Sequence, residues 1–84
     1  MITVLYFARL REALGTGSEQ IVLPQDVRDL AGLRAVLAAR GGAWAQEFTG
    51  NKALRAAVNQ AMANGDAQIA DGDEIAFFPP VTGG

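Results

Sequence analysis

The sequence contains no cysteine and no histidine. Without cysteine there is no disulfide, no thiolate nucleophile and no thiolate-ligated zinc. Without histidine the commonest general base and the commonest transition-metal ligand are both missing. A catalyst built from this chain alone would have to work with carboxylates, hydroxyls, one lysine and six arginines. Long apolar runs are missing as well; none approaches the ~20 residues of a membrane-spanning helix. The opening stretch, Met1 to Glu12, has neither the leading charge nor the cleavage site of a secretory signal, so the expected compartment is the cytoplasm. Basic residues are few and scattered, and the formal net charge is −2. That balance argues against nucleic acid or an anionic membrane as the partner.

The residues that are present describe a folded chain. Half of the 84 residues are hydrophobic and 19% are charged, which suits one globular domain with a single core. Sixteen of the residues are alanine. Core volume must therefore come from Leu, Ile, Val, the four Phe, Tyr6 and Trp44.

Ile2 to Phe7, rich in β-branched and aromatic residues, predicts a first strand. Ala8 to Leu14 predicts a short helix with Leu10 and Leu14 facing inward, and Gly15-Thr16-Gly17 breaks it. Glu19 to Leu23 predicts a second strand closed by Pro24. Asp26 to Arg40 carries the clearest helical period, with Leu30, Leu33, Val36 and Leu37 on one face. Asp26 is the expected N-cap, Asp29 suits the positive helix start, and Arg40 suits the negative end. Ala43 to Phe48 predicts one more helical turn anchored by Trp44 and Phe48. Leu54 to Met62 fits either a helix or a strand, and its alanines tilt the reading to helix. Asn64-Gly65-Asp66 reads as a turn, and Asp71-Gly72-Asp73 as a hairpin-type turn into a last strand, Glu74 to Phe78. Strands at both ends of a long helix predict an α+β domain over residues 1–80, with the helix on one face of a small mixed sheet and 81–84 as a tail.

Several polar groupings carry no chemistry. Asp71, Asp73 and Glu74 lack the frame of a calcium loop and read as a solvated turn. Gln20 stands where a dinucleotide fingerprint would need its third glycine after Gly15 and Gly17. Asp26 and Asp29 read as helix-start electrostatics.

The C-terminus is different. Phe77 and Phe78 are neighbours on a strand and must point to opposite faces, so one of them leaves the core. A large aromatic turned outward on a small domain suggests a partner surface. Pro79-Pro80 cannot donate hydrogen bonds, ends the strand and favours a stiff, extended backbone. Val81-Thr82-Gly83-Gly84 is then a short rod with a slim tip, and its last group is a bare carboxylate. In a chain this rich in glycine, a terminal Gly-Gly arises by chance about once in seventy. The double proline behind it makes a functional tail the better reading.

Four segments carry a resemblance to a known family: Tyr6-Phe7-Ala8-Arg9-Leu10-Arg11-Glu12, Ala57-Val58-Asn59-Gln60, Asp71-Gly72-Asp73-Glu74, and Phe77-Phe78-Pro79-Pro80-Val81-Thr82-Gly83-Gly84. In this order they span the chain and resemble the small, sulfur-carrying subunits of molybdopterin synthase (the MoaD family). Thiamin-pathway sulfur carriers share the Gly-Gly end but usually lack the double-Phe, double-Pro approach. The resemblance implies a ubiquitin-like β-grasp fold and turns Leu54 to Gln60 into strand.

It also implies a division of labour. The chain is not an enzyme on its own and binds no cofactor or metal. A ubiquitin-activating-like adenylyltransferase consumes ATP to adenylate Gly84, and a persulfide donor replaces AMP with sulfur to leave a thiocarboxylate. The slim Gly83-Gly84 end then enters the large catalytic subunit, where the sulfur passes to cyclic pyranopterin monophosphate. Phe7, Met62 and Phe78 match the family's apolar contact surface, with Pro79, Pro80, Val81 and Thr82 leading into the partner. The family assembly implied is a two-plus-two heterotetramer. Other readings of the ending are a carrier for another pathway, such as thiamin synthesis, and a ubiquitin-like modifier joined to protein lysines. A plain interaction module would leave the tail unexplained.

Overall fold

The computed structural model describes residues 1–49 and 54–80. β1, Ile2–Tyr6, alternates strictly: Ile2, Val4 and Tyr6 are sealed while Thr3 and Leu5 are half-buried. α1 (Ala8–Leu14), β2 (Ser18–Ile21), α2 (Leu30–Ala38), α3 (Gly42–Phe48), β3 (Arg55–Val58), β4 (Ala61–Ala63) and β5 (Glu74–Phe78) complete the order. The strands form one sheet in the order β2-β1-β5-β3-β4. β1 and β5 run parallel at its centre, and the other three pairs are antiparallel. Each helix sends buried apolar residues to the same core: Leu10 from α1, Leu30, Leu33 and Leu37 from α2, Phe48 from α3. This α+β arrangement is the ubiquitin-like β-grasp.

The core is small and aromatic at one end. Sealing each large aliphatic side chain is worth roughly 1.5–3 kcal/mol, and the three leucines of α2 lie over Ile2, Val4 and Ile75 in one cluster. Tyr6, Trp44, Phe48 and Phe77 fill the other end. Phe48 meets Phe77 edge-on at 5.1 Å between ring centres, and Tyr6 meets Trp44 edge-on at 5.3 Å. These are favoured geometries for rings with a negative face and a positive rim.

Burial of Tyr6 requires a partner for its hydroxyl, and Glu19 on β2 supplies it at 2.7 Å. Arg40 then grips Glu19 through two hydrogen bonds, at 2.8 and 3.0 Å, and lays its guanidinium 4.4 Å from the centre of the Trp44 ring. The helix stops at Ala38 with no basic residue in its last turn, so the Arg40 side chain serves the ion pair rather than the helix end. The Arg40 hydrogen bonds hold the Glu19 carboxyl below the usual range. Burial, then the bond to Glu19, pushes the Tyr6 phenol well above its ordinary value.

Several local expectations are corrected. The N-cap of α2 is Asp29, not Asp26: the Asp29 carboxylate accepts from the Gly32 N–H at 2.8 Å. Residues 24–27 make a turn first, closed by the Val27 N–H on the Pro24 carbonyl at 3.0 Å, so the helix starts later than its apolar period suggests. Leu30 and Ala31, whose N–H groups no helix can satisfy, donate to the carbonyls of Ala67 and Gly65.

Leu54 to Met62 is not a helix. It contains β3, a two-residue turn at Asn59-Gln60, and β4, with Val58 opposite Ala61. Both turn residues have positive φ, 51° and 71°, as the type I′ hairpin turn requires. Strand thus ends at Val58, two residues short of the span the family resemblance implied. Alanine's helix propensity loses because Ala56 and Ala57 fit opposite Phe77 and Ala76 of β5. The Asp71-Gly72-Asp73 turn leads into β5 but joins no hairpin, since β5 pairs with β1 and β3. Asn59 clamps that turn: its side chain donates to Asp73 and accepts from the Glu74 N–H, both at 3.0 Å. Hydrogen bonds from Asn59 and from the Ala70 N–H hold the Asp73 carboxyl below its ordinary value.

Glu19→Gln should lower unfolding free energy at pH 7 by about 1–2 kcal/mol. Because the Glu19 carboxyl titrates low in the folded chain, its contribution is full above about pH 4.5 and fades as the pH falls through the lower folded value. Denaturant melts of both proteins should therefore converge in acid; a gap that stays constant to low pH would contradict the ion pair. Asn59→Ala should cost about 1–3 kcal/mol, and Asn59→Gly about 1 kcal/mol less than that because glycine accepts positive φ. Equal melts for the two variants would show that the turn conformation carries no cost.

Candidate functional site

The sheet's two faces have different fates. One is sealed by helices. The other carries Leu5 of β1, Ala76 and Phe78 of β5, Arg55 and Ala57 of β3, and Met62 of β4. Register sets them in rows. Leu5 lies opposite Ala76, Ala76 opposite Ala57, and Ala57 opposite Met62, so one row crosses four strands. The next row pairs Phe78 with Arg55. Two alanines in the middle make a shallow apolar floor between larger side chains.

Alternation settles the Phe77–Phe78 pair as expected. Phe77 is fully sealed in the core, and Phe78 points to the other face, half-buried. Met62 is 62% exposed and Phe7 47% exposed, both large apolar groups in water. Phe7 sits at the junction of β1 and α1, where its N–H donates to the Phe77 carbonyl at 3.2 Å. The next residue, Ala8, has φ of 54°, uncommon for a residue with a Cβ. That kink ends β1 and starts α1 at once. It places exposed Phe7 beside the C-terminal end of β5. Arg9, two residues on, lies 3.6 Å from the buried Glu47 carboxylate and ties α1 to α3.

β5 ends at Phe78, and Pro79 and Pro80 come next, both half-buried. Neither proline can donate a ladder hydrogen bond, so the chain leaves the sheet there. Val81, Thr82, Gly83 and Gly84, the expected functional tail, lie outside the described residues. Of the other site residues, the structure gathers Phe78 and Met62 onto the open face and brings Phe7 to its edge. Leu5, Arg55, Ala57 and Ala76 join them without having been singled out. Their signal was strand alternation, and a helical reading of Leu54 to Met62 hid it on β3.

The described residues hold no cluster of acidic side chains suited to a metal ion. None of their helices is long and apolar enough to cross a membrane.

The chain is similar to known proteins over its full length. The molybdopterin synthase sulfur carrier subunit of Escherichia coli (strain K12) is 45% identical over 84 residues, the full length of both chains. In solved structures, the complex of subunits 1 and 2 of the molybdopterin-converting factor from Helicobacter pylori 26695 contains a chain similar at TM-score 0.66 and 25% identity, with 99% of this chain and 97% of that one covered. Small archaeal modifier protein 1 of H. volcanii shares the fold at TM-score 0.77 and 22% identity, covering 95% of this chain and 97% of its own. The ThiS family model matches residues 4–84, and the chain belongs to the ThiS family.

Proposed function

We propose that this chain is the sulfur carrier subunit of molybdopterin synthase. The observation that carries the reading is end-to-end identity, at 45%, with a curated subunit of that name. The physical layout supports it: an apolar sheet face for a partner and, next to it, the root of a slim tail.

In this reading the reacting group is the Gly84 carboxylate. It is ionised at neutral pH and a poor electrophile, so it needs activation from outside. An adenylyltransferase resembling ubiquitin-activating enzymes joins it to AMP from ATP and releases pyrophosphate. The terminal sulfur of a persulfide donor attacks the acyl-adenylate and displaces AMP to give an acyl disulfide. A second thiol then cleaves its S–S bond, leaves as a disulfide with the donor, and frees a terminal thiocarboxylate, nucleophilic as a thiolate is. The large catalytic subunit receives the tail, and the sulfur passes to cyclic pyranopterin monophosphate. Two rounds build the dithiolene of molybdopterin, and the chain returns as carboxylate. All of this takes place in the cytoplasm.

The chain's own residues bind and position. Phe7, Met62 and Phe78 dock the partner, Pro79-Pro80 aims the tail, and Gly83 keeps its tip narrow. Tethering the sulfur raises its effective concentration at the partner's site, so this chain needs no acid or base of its own.

Incubation with the activating enzyme, ATP and a sulfur source should exchange one oxygen of the chain for sulfur, read by intact-mass spectrometry. An unchanged mass under conditions that charge a known carrier would refute the proposal. Deleting Gly84 should abolish sulfur transfer without moving the melting temperature. A ladder of lysine adducts in place of the thiocarboxylate would mark a protein modifier instead. On the docking face, Phe78→Ala should weaken binding to the large subunit by about 2 kcal/mol or more, as central aromatic anchors do. Unchanged affinity in a folded variant would remove Phe78 from the interface.

A further inference from the structure

The partner face turns a corner at its β4 edge. There, an open pocket of about 410 Å³ lies between α2 and the β3–β4 hairpin. Among the described residues its lining includes Arg34 of α2, Arg55 of β3, Met62 and Asn64, and no carboxylate. The two arginines differ from Arg9 and Arg40, which reach Glu47 and Glu19. Among the described residues neither Arg34 nor Arg55 makes an ion pair. The concentration of positive charge is local, since the chain as a whole carries −2.

Position makes the pair informative. Met62 belongs both to this pocket and to the apolar row that runs through Ala57 and Ala76 to Leu5. Arg55 lies directly opposite Phe78 in the β3–β5 register, at the strand end from which the tail departs. The pocket is therefore continuous with the docking face. Guanidinium groups bind carboxylates through paired hydrogen bonds in a fixed plane, and the described lining residues offer them none.

We propose that Arg34 and Arg55 form the polar rim of the docking face and take a carboxylate-bearing segment of the large subunit. The proposal rests on the functional reading above and adds to it the charge chemistry of the partner. Apolar burial at Phe78 and Met62 holds the complex together. The arginine rim speeds encounter and rejects partners that present positive charge there. Because the rim is open to solvent, its contribution must fall with added salt.

The test uses the full chain and the purified large subunit, with affinity and association rate measured in low and high salt. Variants are Arg34→Gln, Arg55→Gln, the double variant, and Arg28→Gln as an exposed control outside the pocket. The double variant should bind about tenfold more weakly at ~50 mM salt, chiefly through slower association, and within about twofold of wild type at ~500 mM. Each single variant should lose about threefold at low salt, and Arg28→Gln should match wild type. The singles keep the question answerable if the double variant folds poorly by circular dichroism. Wild-type-like binding by all folded variants would overturn the inference, as would an equal loss at both salts or an equal loss in Arg28→Gln. Failure of the wild type itself to bind the large subunit would overturn the functional reading and this inference together, whereas wild-type binding with indifferent variants overturns the inference alone.

Discussion

Parallel pairing of β1 with β5 is the constraint on which the rest depends. It joins the first strand of the chain to the last one at the centre of the sheet. A parallel pair cannot be closed by a tight turn, so the chain between must cross over, and α2 and α3 do so on one face only. Covering one face leaves the other for a partner. The same pairing roots the tail in the sheet's centre: the residues just before Pro79 are held by β1 on one side and β3 on the other. A tail that must present its tip at a fixed place benefits from such a root.

That centre is also where polar and apolar demands meet. Tyr6 fills the core with its ring, and its hydroxyl cannot be buried unsatisfied. Glu19, Arg40 and Trp44 resolve the problem in sequence: carboxylate to phenol, guanidinium to carboxylate, ring to guanidinium. The chain of contacts joins β1, β2, the end of α2 and α3. It fastens the helix layer to the sheet at the end where β5 runs into Pro79.

Much of this was legible locally. The apolar period of Leu30, Leu33 and Leu37, the anchors Trp44 and Phe48, and the opposite fates of Phe77 and Phe78 all come from spacing alone. Where local patterns mislead, non-local contacts decide. Ala56 and Ala57 favour helix by propensity, yet both are buried in strand pairs with Phe77 and Ala76 of β5. Asp26 and Asp29 are equally good caps by type. Asp29 takes the role because the 65–67 segment offers carbonyls to the N–H groups just after it, and no local pattern shows that segment nearby.

The sequence by itself determined the chemistry available: no thiol, no imidazole, and a Pro-Pro-Val-Thr-Gly-Gly segment after the last strand. Those are properties of residue identity and order, and folding cannot add to them. Tertiary structure alone decided where the supporting groups stand. Glu19 meets Arg40 across 21 positions, and Arg55 meets Phe78 through strand register. Both pairings arise from side-chain packing and backbone hydrogen bonds between segments far apart in the chain, which local composition and spacing do not encode.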